Sequence, residues 1–163
     1  MQLNFRGTVA ITLLLIQFSY ANVFAHCEIP CGIYNDKMRI GMLKEHVTTM
    51  QKSMSQIIEL SKQGDKNYNQ LIRWVTNKED HANQFQQIVT QYFMTQRVKV
   101  PTDLQQKESY LKQLSLLHEM LVLAMKCKQT TDMENIKKLN TVIDQFVQAY
   151  FSEADLKHFQ EHK

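Results

Sequence analysis

The chain has 163 residues, with only 4 Gly and 2 Pro, 21% charged residues and a formal net charge of +3. So few turn formers exclude a sandwich or barrel of many short strands and point to one all-α domain with a single core. No run of Lys and Arg is dense enough for a nucleic-acid arm, so no nucleic acid is expected as a partner, whereas a modest positive excess suits a small anion.

Residues 1–25, MQLNFRGTVAITLLLIQFSYANVFA, read as a leader that is removed. Arg6 is a short basic start and Val9 to Ile16 an apolar stretch. Val23 and Ala25 place small residues at the third and first positions before a cut after Ala25. The apolar run is far shorter than the ~20 residues of a membrane span, so no membrane association is expected after cleavage. Cleavage makes His26 the first residue and gives it a free α-amine. If the leader is a signal peptide, the mature chain is exported to the periplasm or beyond the cell. If it is only a pro-segment, the chain is cytoplasmic.

Residues 26–35, HCEIPCGIYN, follow at once and hold the densest set of metal donors. Once His26 is terminal they offer its α-amine and imidazole, the amide nitrogen of Cys27, and the thiolates of Cys27 and Cys31. An amine, an amide nitrogen and two cis thiolates fit one plane, with the imidazole above it. Tetragonal nitrogen and sulfur donors suit Ni(II) or Cu(II), whereas zinc prefers a tetrahedron. Pro30 stiffens the loop between the thiolates, and Gly32 lets the chain turn beyond the second. Tyr34 is placed to cap the open face, with a hydroxyl for an incoming anion or its water. A Cys27–Cys31 disulfide in an oxidising compartment is the competing reading, and would make the chain an exported helical binding module without catalysis.

Residues 36–163 read as a four-helix bundle. Ile40, Leu43, Val47, Met50, Met54 and Ile57 step by 3 and 4, the seam of a bundle helix that Gly64–Asp65 ends. A second helix is expected from about Lys66 to Arg97, with Leu71, Ile72, Val75, Ala82, Phe85, Ile88, Val89, Tyr92 and Phe93 inward. Thr102 or Asp103 is expected to cap a third, with a stripe of Leu104, Leu111, Leu114, Leu117, Leu121 and Met125. A fourth carries Ile136, Leu139, Ile143, Phe146, Val147 and Tyr150, and Ser152 to Lys163 adds a short helix. Short connections between long helices predict an up-down four-helix bundle.

The bundle carries no Glu-x-x-His, so a ferritin-like di-iron site is excluded. Glu45–His46 and His118–Glu119 are adjacent pairs that face different ways. His46, His81, His118, His158 and His162 read as surface or satisfied half-buried histidines, and Cys127 as a partly buried free thiol.

HCEIPCGIY resembles the nickel hook of nickel superoxide dismutases, whose pattern is H-C-x-x-P-C-G-x-Y. His26, Cys27, Pro30, Cys31, Gly32 and Tyr34 occupy its fixed positions. RWVTNKEDHANQFQQIVTQYF, Arg73 to Phe93, is similar to the second-helix region of many members. The resemblance implies a right-handed four-helix bundle assembled as a homohexamer, with one nickel ion per subunit. It implies disproportionation of superoxide to dioxygen and hydrogen peroxide, with nickel cycling between divalent and trivalent states. Carried over, His26 supplies its amine and, in the oxidised state, an axial imidazole. Cys27 supplies its amide nitrogen and thiolate, and Cys31 the second thiolate. Tyr34 gates and orders solvent, and Pro30 shapes the hook. Glu28 stands where some members have Asp and is expected to order the hook.

In some members an Arg on the second helix orients the axial imidazole. That position is His81 here, and the Glu that partners the Arg falls near Gly41 or Met42, unmatched. A leader-processing protease is implied as a further partner. A non-catalytic nickel or copper carrier would use the same donors.

Overall fold

The computed structural model describes residues 34–160, which lie in one compact unit, Ile33–Lys163. The described residues form helices and no strand. They are α1 (Asp36–Ser61), a 3-10 turn (Gly64–Asn67), α2 (Tyr68–Gln87) running on as a π-helix (Ile88–Arg97), α3 (Lys107–Gln129), α4 (Met133–Tyr150) and the short α5 (Glu153–Gln160). α1 packs on α2 and α4, and α3 packs on the same two helices. Neighbours in sequence are thus neighbours in space, as in the expected up-down bundle.

α1 starts where its first residues can satisfy the free N–H groups of a helix end. The Asn35 side chain accepts from the Met38 N–H at 2.9 Å, and Asp36 sits in the first turn, at the positive end of the helix dipole. Its seam, Ile40 to Ile57, is buried as the spacing predicts. The helix ends at Ser61, ahead of the Gly64–Asp65 stop, and the 3-10 turn makes the corner. α4 is capped by Asp132, whose carboxylate accepts from Glu134 N–H at 3.0 Å, and buries Ile136, Leu139, Ile143, Phe146 and Val147 as expected.

Two stripes differ from their expected course. On the second helix Ile72 and Val75 are exposed. The buried face there runs Lys78, Ala82 and Phe85, and Ile72 lies well round the helix from it. On the third, residues 102–106 form bends, held by a bond from Gln106 N–H to the Asp103 carboxylate at 2.8 Å. The helix therefore begins at Lys107, and Leu104 is left outside it, 85% exposed. Leu111 and Met125 are also exposed, while Leu116, Leu117, Met120, Leu123, Ala124 and Cys127 are buried.

An aromatic column closes one end of the core. Phe93 meets Phe146 edge-on with centroids 5.2 Å apart, and Phe146 stacks on Tyr150 at 5.2 Å. It lies beside the point where the chain enters α1.

Candidate metal centre

His26, Cys27, Glu28, Pro30 and Cys31 lie outside the described residues. Tyr34, the last hook position, is described, and so is the ground it stands on. Asp36, two residues later, accepts four hydrogen bonds. Arg97 forks onto it, Nε to Oδ1 at 2.8 Å and Nη2 to Oδ2 at 2.6 Å. The Tyr92 hydroxyl adds a bond to Oδ1 at 2.6 Å and the Tyr150 hydroxyl one to Oδ2 at 2.8 Å. A carboxylate has about four lone-pair sites, so its acceptor capacity is filled.

The electrostatics follow from that geometry. Burial pushes the Asp36 carboxyl up, but the bonds from Arg97, Tyr92 and Tyr150 and the charge of Arg97 outweigh it, and the net shift is downward. Burial first, then the bond to Asp36, pushes the Tyr92 phenol up to about 12 and the Tyr150 phenol up as well. The bond to Asp36 holds Arg97 more firmly protonated.

The same guanidinium lies over the Tyr34 ring, 4.3 Å from its centroid, and Tyr34 meets Tyr92 edge-on at 6.0 Å. Arg39 stacks over the Tyr92 ring at 5.0 Å. Tyr34, Asn35, Asp36, Lys37, Arg97 and Tyr150 line much of an open cleft of ≈ 560 Å³.

His81 is half-buried on α2, and its partner is His46 of α1. Their Nδ1 atoms are 2.9 Å apart, so the pair can share one N–H···N bond. His46 is only 7% exposed. Burial, then the nearby His81, lowers its pKa against an opposing pull from Glu45. Gly41 and Met42, near which the family's Glu falls, carry no acid here, and the partner that His81 meets is His46, further along the same helix. Gly41 itself faces open space, with nothing within 4 Å of an added Cβ.

Cys127 is fully buried and free. Burial pushes its thiol up to about 11, so it stays protonated at neutral pH and is a poor metal ligand. Among the described residues no group of three or more His, Cys, Asp or Glu is placed to hold a metal. The other two cysteines of the sequence, Cys27 and Cys31, lie outside the described residues, and their thiolates with the nitrogens of His26 are a donor set of the kind that suits Ni(II) or Cu(II).

A family model described as nickel-containing superoxide dismutase matches residues 21–154. The chain belongs to the nickel-containing superoxide dismutase family. It is accordingly an oxidoreductase with a nickel cofactor and superoxide as substrate. Neither a curated protein nor a solved structure is found to match it. Among the described residues of this nickel dismutase no helix is long and apolar enough to cross a membrane.

Asp36 and Arg97 are not marked by the sequence as partners, Tyr92 and Tyr150 are marked only as inward residues of their helices, and His46 is more deeply buried than a surface or half-buried histidine. One signal for the first was in view. An Asn-Asp pair directly before a 3,4-spaced apolar seam marks a capped helix start with an acid in its first turn. Nothing local linked it to residues 56 to 114 positions away.

Proposed function

We propose that residues 26–35 are the nickel-binding hook of this dismutase and that residues 1–25 are a leader whose removal completes it. His26 holds the metal through its α-amine and imidazole, Cys27 through its amide nitrogen and thiolate, and Cys31 through its thiolate. When bound, nickel supplies a one-electron couple between divalent and trivalent states, through which one superoxide is oxidised to dioxygen and another reduced to hydrogen peroxide. The observation that carries this reading is the H-C-x-x-P-C-G-x-Y match at residues 26–34, inside the region that the family model covers.

Each remaining role belongs to the chain's own groups. Pro30 and Gly32 set the path between and beyond the thiolates. Tyr34 presents a hydroxyl that orders water and hydrogen-bonds the incoming anion. Glu28 orders the hook by accepting backbone N–H bonds. His81, paired with His46, orients the His26 imidazole. The mature chain is exported, a leader-processing protease exposes His26, and six copies assemble.

The test is superoxide turnover by the processed chain against a chain carrying one extra residue before His26. The reading expects nickel-dependent turnover in the first and its loss in the second, with helix content unchanged. Full turnover in the extended chain would contradict it, because an amide cannot replace the terminal amine.

A further inference from the structure

We propose that Asp36 and Arg97 are positioning residues for Tyr34, forming a clamp that fixes the last position of the hook motif against the bundle. The inference rests on the hook reading above. It begins from the π-helix. Such helices are rare, mostly single turns, and frequent at functional sites. This one spans ten residues and ends at Arg97. Tyr92 and Arg97 are five residues apart, the hydrogen-bond spacing of a π-helix. In an α-helix residues at that spacing point about 140° apart. The wider turn brings both side chains onto one carboxylate, where each bonds Oδ1 of Asp36.

Asp36 in turn sits at the start of α1, joined to Tyr34 through the capping residue Asn35. Its four bonds leave the Arg97 guanidinium one orientation, edge-on to the carboxylate and over the Tyr34 ring at 4.3 Å. A cation over an aromatic face is attracted by the ring. Arg97 is 25% exposed and Asp36 14%, so the pair is sheltered from water. Among the described residues the Tyr34 hydroxyl has no hydrogen-bond partner. The ring is held by its face, and Tyr34 stays 42% exposed. A Tyr34 that gates the metal needs such a hold.

The test places 3-fluorotyrosine at position 34 of the full mature chain and records its 19F resonance with and without nickel. Asp36→Asn and Arg97→Lys are compared with the wild-type chain, and Lys44→Gln, far from the clamp, serves as control. The second clamp variant keeps the charge but loses the fork, so the test survives if Asp36→Asn fails to fold. The expected result is a shifted, broad resonance in the wild-type and control chains. In both clamp variants it moves to the free-tyrosine position and sharpens. In the unfluorinated nickel-loaded variants kcat/KM falls about ten- to hundredfold at full nickel occupancy. An unchanged resonance in a folded clamp variant would overturn the proposal, as would a shifted one with undiminished turnover. A wild-type chain that binds no nickel would overturn the hook reading instead, while the resonance would still decide whether the clamp holds Tyr34.

Discussion

Two cysteine environments coexist in one chain, and they set opposite expectations. Cys127 is enclosed in the core with its thiol pushed up to about 11, whereas Cys27 and Cys31 belong to a stretch dense in donors. Cys27→Ser or Cys31→Ser is predicted to abolish nickel binding, and Cys127→Ser to leave one nickel per chain. The latter costs about 1–2 kcal/mol, because a hydroxyl is less tolerant of apolar burial than a thiol. Metal analysis of the purified variants checks the first part and urea unfolding the second. His46 gives a pH prediction. Burial and His81 lower its folded pKa below the ordinary histidine value of 6.5, with Glu45 opposing. The unfolded chain therefore binds more protons below that pH, and stability falls as the pH drops through it and levels off below the folded pKa. Urea midpoints measured from about pH 7.5 to 5 should decline in the wild-type chain and decline less in His46→Leu. Equal slopes would contradict the burial of a neutral imidazole.

The helices show where a sequence pattern is enough and where it is not. α1 and α4 each carry an apolar seam that steps of 3 and 4 identify, and the structure buries those residues except Tyr150, which is half-buried. α3 has Leu on several sides, and the pattern cannot choose between them. The face that is buried includes Ala124 and Cys127, residues that look unremarkable in a hydrophobic stripe. The π-helix was equally hidden, since the significance of the Tyr92–Arg97 spacing appears only when Asp36 is beside it. The hook motif was legible because its chemistry is local, and the His46–His81 pair was not, because it joins two helices.

Lys78 ties another pair of elements. Its side chain is 5% exposed and its ammonium donates to the Lys128 and Thr130 carbonyls at the end of α3, with Glu79 3.6 Å away. It satisfies carbonyls that a helix end leaves free and lies at the negative end of the dipole. Lys78→Met is predicted to lower stability by about 1–3 kcal/mol without loss of nickel. Urea unfolding within about 0.5 kcal/mol of the wild-type value would show that water satisfies those carbonyls instead.

Folding of the bundle is expected to proceed without cleavage or metal loading. The bundle has its own core, built from residues of α1 to α4, and its caps lie within the described residues. The uncut chain is accordingly predicted to fold to the same helix content as the processed one and to lack turnover. Circular dichroism and a superoxide assay on the two forms check this. An unfolded uncut chain would mean that the hook or its metal contributes to the core.

If processing at His26 creates the nickel site, native intact mass spectrometry of protein isolated from the producing cell will show it. The experiment reads the first residue, the metal and the assembly together. The expected species begins at His26, carries one nickel per subunit and travels as a hexamer. A metal-free chain lighter by two hydrogens, with Cys27 and Cys31 joined as a disulfide, or a mature chain that begins at any other residue, would contradict the hook reading.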